Sequence, residues 1–168
     1  MTLPFDEPEY DRWFRTAERT PAEAEFFAKQ DLHHWAAFVG RQAAEAALKA
    51  PLRGLGKPVV TDSMKQLLDT LESPRISVGT AKRHAARILE RHCKGTRHPD
   101  QYPAGTPRDQ YDGQIAREAL DAARAMLARN HPTAYWAARE GVVIRDGGLW
   151  ASFVAGSLGP ISGSPAPD

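Results

Sequence analysis

Residues 33–50 read HHWAAFVGRQAAEAALKA, and this stretch decides the fold class. Wound as a helix, it sets Trp35, Phe38, Val39, Ala43, Ala46, Ala47 and Ala50 on or beside one broad apolar stripe. Arg41, Gln42, Glu45 and Lys49 fall mostly elsewhere. The many alanines favour helix and let neighbouring helices approach closely, so the stretch reads as the central helix of a bundle. Asp31 is the expected N-cap, and Pro51, which disfavours the α conformation at Ala50, is the expected stop.

Upstream, residues 8–19 carry Tyr10, Trp13, Phe14 and Ala17 at helical spacing, an aromatic face suited to packing on that core. Thr20-Pro21-Ala22-Glu23 combines a cap, a proline and a capping-box glutamate, and predicts a restart or kink in a helix that continues through Phe27. Downstream, PLRGLGKPVV is a connection. Asp62 or Ser63 then caps a short helix with Met64, Leu67, Leu68 and Leu71 inward, ended by Pro74.

A further helix is expected over 80–95, with Ala81, Ala85, Ile88, Leu89 and His92 interleaved with Lys82, Arg83, Arg87 and Arg91, and with Gly95 as its stop. After the loop TRHPDQYPAGTP, a last long helix is expected from Pro107 to about Asn130, with Tyr111, Ile115, Ala119, Ala122, Ala123 and Met126 inward. A short helical piece follows over 133–140. Two β-prone runs flank Asp146-Gly147-Gly148 and give a hairpin signal over 141–154, before a tail whose composition reads as disordered.

The reading is therefore an all-α, antiparallel four- to five-helix bundle over 1–140, with a C-terminal extension over 141–168. At 168 residues this is about one domain, long enough to bury a core. A net charge of +1 gives no general reason for attraction to nucleic acid or membrane, though local patches can still act. The single cysteine, Cys93, forms no intrachain disulfide and suits a reducing compartment. No basic leader with an apolar run and no stretch of roughly 20 apolar residues is present, so the expectation is a soluble, cytoplasmic protein.

Taken in order, the aromatic helix around Trp13, the segment Arg41-Gln-Ala-Ala-Glu-Ala-Ala-Leu-Lys49, the helix ending near Arg91, and Thr96-Arg-His-Pro-Asp100 before an alanine-rich helix resemble the HEPN domain family. The first segment is similar to that family's QAAEKALKALL-type core helix, and the loop to its TRYPD-type turn. The resemblance spans about residues 9 to 130. It implies a helical bundle, commonly a homodimer, often found beside a minimal nucleotidyltransferase partner. It also departs from the family: Asp62 stands where relatives often have histidine, and His98 where they have tyrosine.

The resemblance further implies a chemistry. Catalytic members are metal-independent RNases that use an arginine and a histidine separated by four to six residues. Arg87 with His92 fits the shorter spacing, and Arg91 with His98 fits the longer. An imidazole can take the 2′-hydroxyl proton of RNA while a guanidinium stabilises the phosphate. The ordinary structural reading stands beside it: arginines solvated or paired with Glu90, and histidines filling or capping the loop.

Arg91, Arg97, His98 and Asp100 are the expected ligand-binding residues. The leading function is a nucleotide- or RNA-binding, toxin–antitoxin-type module. The alternatives are a ribonuclease and a non-catalytic dimerisation or partner-docking protein. No zinc-ligand spacing and no glycine-rich phosphate loop is found, so no metal and no cofactor is expected.

Overall fold

The computed structural model describes residues 6–57, 59–72 and 78–127. The elements in order are α1 (Glu7–Lys29), α2 (His33–Gly54), α3 (Met64–Leu71), α4 (Thr80–Glu90), a 3-10 turn at Pro99–Gln101, the single turn α5 (Pro107–Gln110) and α6 (Gly113–Leu127). The described elements are thus all helical, as the periodicity requires. The expected helix over 133–140, the hairpin over 141–154 and the tail lie outside the described residues.

Asp6 caps α1 by accepting from the Glu9 amide at 3.1 Å. The helix then runs unbroken through Pro21. Thr20 does not cap a new helix. Its hydroxyl donates back to the Thr16 carbonyl at 2.8 Å, a helical bond that leaves no side chain for the expected capping box.

The limits of α2 also differ from expectation. Asp31 has φ 55 and is not the cap; Leu32 is, without a side-chain bond. Pro51 does not stop the helix, which runs four residues beyond Ala50. Termination falls to Gly56, in the left-handed region at φ 66. Its amide donates to the Arg53 carbonyl at 2.9 Å, and the Lys57 amide to the Leu52 carbonyl at 2.8 Å. This pair of bonds satisfies carbonyls that a helix end otherwise leaves open.

The Asp6 amide donates to the Gly54 carbonyl at 2.8 Å, so the start of α1 meets the end of α2 and the two helices are antiparallel. Helix α6 lies beside α2 in the same direction. Gly113 faces His33, and Gly40 faces Ala119, Leu120 and Ala123. Buried Ala36, Ala37, Ala43, Ala44, Ala46 and Ala47 of α2 meet Ala116, Ala119, Ala122 and Ala123 of α6 and Ala17 and Ala24 of α1. Small side chains at every crossing are what let three helices pack so closely.

Leu48, Leu52, Met64, Leu67, Leu68, Leu89 and Met126 supply the large buried side chains of the main core cluster. Two expected inward residues are not inside: Ala81 is exposed, and Trp35 is 39% exposed. The expected helix over 107–130 is divided at Tyr111-Asp112, because the Asp112 carboxylate caps α6 through the Gln114 and Ile115 amides, both at 2.9 Å. Among the described residues no helix is long and apolar enough to cross a membrane.

Candidate functional site

Helix α4 stops at Glu90, earlier than Gly95, and residues 91–97 form consecutive turns. The Thr96 hydroxyl, buried, donates to the His92 carbonyl at 2.9 Å, and the His98 amide to the Lys94 carbonyl at 2.9 Å. Gly95 is not a left-handed helix stop; only Gly56 and Gly105 are positive-φ glycines among the described residues. It is required by close approach instead. A Cβ there would lie 2.7 Å from the Tyr102 Oη, 3.0 Å from the Arg91 carbonyl oxygen and 3.1 Å from the Tyr111 Oη.

Two tyrosines therefore close over this turn. Tyr102 donates its hydroxyl hydrogen to the Gly95 carbonyl at 2.8 Å. Tyr111 places its oxygen 3.0 Å from His92 Nδ1, with the rings 5.6 Å apart. Burial, and then the hydrogen bond with Tyr102, push the Tyr111 hydroxyl above its ordinary range, so it stays protonated.

His92 is 1% exposed. Its Nε2 is buried without a hydrogen-bond partner among the described residues. Burial, helped by the charges of Arg91 and Arg41, pushes its pKa down to about 4. It is a neutral, enclosed imidazole at pH 7.

Beneath the turn lies a charge that helical periodicity assigns to the polar back of α2. Arg41 is 1% exposed. Its guanidinium donates to the Glu45 carboxylate at 2.8 Å and to the Asp62 main-chain carbonyl, while Lys49 pairs with the other Glu45 oxygen. A buried guanidinium is tolerated because it is both paired and hydrogen-bonded.

The Asp62 carboxylate takes the Cys93 thiol at 3.3 Å, which holds that carboxyl below its usual range; burial, then Asp62, push the thiol up. Glu90 accepts the Met64 amide at 2.8 Å. Arg41, Asp62 and Glu90 thus join α2, the start of α3 and the end of α4, and fix where the turn sits. The signal available in the sequence was the series Arg41, Glu45, Lys49 at four-residue spacing amid alanines.

The residues expected at a site divide between the inside and the outside of this turn. Arg87, Arg91, Arg97, His98 and Asp100 are exposed; His92 is not. Arg87 and Arg91 stand one helical turn apart at the end of α4. Arg91 Nε donates to the Ile88 carbonyl at 3.2 Å. Arg97 donates to the Cys93 carbonyl through Nη2 at 2.9 Å, and its guanidinium lies over the Phe38 ring, 4.6 Å from the centroid.

Asp100 sits in the 3-10 turn that follows. The structure brings Arg91, Arg97 and His98 onto one turn together with Lys94, which no sequence motif singles out. It sets Arg87 outside on α4 and His92 within. Among the described residues, no group of three or more His, Cys, Asp or Glu side chains is placed to hold a metal ion.

The HEPN domain family profile matches residues 10–131, from the first aromatic of α1 to just beyond α6. The chain belongs to the HEPN domain family. The crystal structure of TT1696 from Thermus thermophilus superposes on this HEPN domain with a TM-score of 0.68 at 32% identity, covering 71% of this chain and 94% of that one. ST0689, an archaeal HEPN homologue, superposes with a TM-score of 0.62 at 25% identity, covering 75% and 98%. No curated protein matches this sequence.

Proposed function

We propose that this HEPN domain is a nucleotide- or RNA-binding module of the toxin–antitoxin type, acting as a homodimer with a minimal nucleotidyltransferase partner. The phosphate-contacting surface is the turn 91–98. One observation carries this assignment. Arg91 and Arg97 are positioned by main-chain carbonyls rather than by carboxylates, and neither they nor Lys94 forms an ion pair among the described residues. Arg12, Arg15, Arg41, Arg83 and Arg124 are paired with acids, and the other described arginines without an ion pair, Arg19, Arg53, Arg87, Arg108 and Arg117, are spread over other elements, whereas the turn brings Arg91, Lys94 and Arg97 together.

Cations that are held in place but not neutralised suit phosphate oxygens, to which guanidinium groups donate paired hydrogen bonds. The partner and the dimer follow from family resemblance and from no contact within this chain. A ribonuclease using Arg91 and His98 is the second reading, favoured by their shared exposure on the turn. Arg87 with His92 would require the enclosed imidazole to open toward RNA.

Metal-free incubation of the purified protein with labelled RNA tests both readings, alongside Arg87→Ala, Arg91→Ala, Arg97→Ala, His92→Ala and His98→Ala variants of confirmed helicity. Binding without cleavage, weakened in the Arg91 and Arg97 variants and less salt-dependent by about one counterion each, is the expected result. Cleavage lost in Arg91→Ala and His98→Ala would replace it with the nuclease reading. Binding that is indifferent to these arginines would reject the turn as the contact surface.

A further inference from the structure

The Arg97 guanidinium does not end the cationic turn; it begins an aromatic strip. It lies on the Phe38 ring, and Phe38 in turn meets Trp35 edge to face, with centroids 5.8 Å apart at 75°. Trp35 is tilted against His34 at 5.3 Å, so it is held from two sides. It is nevertheless 39% exposed, on the first turn of a helix whose neighbouring positions Ala36 and Ala37 are fully buried.

An exposed tryptophan alone is ordinary on a protein surface. Here it packs against His34 and Phe38 and is separated by a single ring from an arginine that no carboxylate neutralises among the described residues. We propose that Trp35 is a stacking platform for an unpaired nucleobase, so that the ligand of the turn is single-stranded RNA with its phosphates on Arg91, Lys94 and Arg97 and a base on the indole.

This rests on the RNA-binding reading and narrows it to one class of RNA. A ring face accepts any base, but only a base that is not paired within a duplex can reach it. The charge of the turn argues for this occupant: RNA brings the sign complementary to Arg91, Lys94 and Arg97, none of which is ion-paired among the described residues.

Fluorescence anisotropy with a fluorescein-labelled ten-nucleotide oligouridylate and with a ten-base-pair RNA duplex, at one salt concentration, tests the proposal in the full chain. Circular dichroism checks the fold of each variant. Trp35→Ala is expected to weaken single-strand binding by at least about fivefold and to leave duplex binding unchanged, and Trp35→Phe, which keeps a ring, to recover most of the loss. The wild type should also show an RNA-dependent change in tryptophan emission that Trp35→Phe abolishes while still binding.

Unchanged oligouridylate affinity in Trp35→Ala, with the loss still seen in Arg97→Ala, would overturn the platform and leave the turn as the RNA contact. A change of sedimentation mass in Trp35→Ala with unchanged affinity would overturn it in favour of a contact between copies. Absence of binding by the wild type would remove the RNA reading itself.

Discussion

The enclosed imidazole of His92 makes the stability of this domain depend on pH in a way that can be calculated. An unfolded chain carries that histidine at its ordinary value near 6.5, and the folded domain holds it at about 4. Between those values the unfolded state binds more protons than the folded one, so stability rises with pH across the window and falls as the solution is acidified. The contribution is intact above 6.5 and lost as pH falls to 4. For His92 alone the loss is about 2 kcal/mol between pH 7 and pH 5, approaching about 3 kcal/mol at still lower pH.

Urea unfolding followed at 222 nm at pH 7, 6 and 5 would measure it, with His92→Gln as the non-titrating control. The glutamine can still meet the Tyr111 hydroxyl, and a constant offset in stability does not affect the comparison of slopes. His34, also lowered chiefly by burial, titrates in both proteins and cancels. Asp62, whose carboxyl is held below its ordinary range, titrates at lower pH. Equal pH slopes for wild type and His92→Gln would refute the enclosure of His92 and reopen Arg87 with His92 as a catalytic pair.

Gly95→Ala should destabilise the domain by about 1–3 kcal/mol, read from the urea midpoint, because the new Cβ meets the Tyr102 Oη and the Arg91 carbonyl oxygen at 2.7 and 3.0 Å. Gly40→Ala should act in the opposite direction, since its Cβ finds the Ala119 carbonyl oxygen and the Ala123 Cβ at an ordinary 3.8 Å. A gain of about 0.5–1 kcal/mol is expected from the stiffer helix, measured the same way. Glu45→Gln removes the carboxylate that pairs a guanidinium 1% exposed, and should lower stability by about 3 kcal/mol. A drop below about 0.5 kcal/mol in calorimetry would mean that Arg41 reaches water.

Much of the fold was legible because helical periodicity is a local property. The apolar spacing of 64–71 and of Tyr111 to Met126 marks the faces that are buried, and the alanines foretell close crossings; α2 is instead buried almost all round, with Ala36, Ala37, Ala44, Leu48 and Arg41 inside and Trp35, expected inward, exposed. Termini were less legible. Pro51 and Gly95 are strong stop signals in a sequence, yet α2 passes through the first, and α4 ends before reaching the second. A proline removes one amide and discourages its predecessor from helix, a penalty that packing along the whole of α2 outweighs.

The candidate site was legible only in part, for the same reason. Helical spacing places Arg87 and Arg91 on one face, and the resemblance to the HEPN family drew attention to Arg97, His98 and Asp100. It could not say that His92 points inward, since that depends on Tyr111, 19 residues away. Nor could it separate Arg41 from the solvated arginines. A guanidinium four residues from a glutamate reads as a surface pair until the Asp62 carbonyl and the end of α4 are brought over it.

By itself the sequence determined that the described chain would be helical and, on α3 and α6, which faces would be apolar, because these follow from interactions within a few turns of one helix; the order of its motifs carried the resemblance to the HEPN family. Tertiary structure alone decided which charges are neutralised and which are offered, that His92 is sealed and neutral, and that Arg97, Phe38 and Trp35 form one strip. Those properties arise where separate helices meet, from burial and from partners distant in the chain, and no local pattern encodes them.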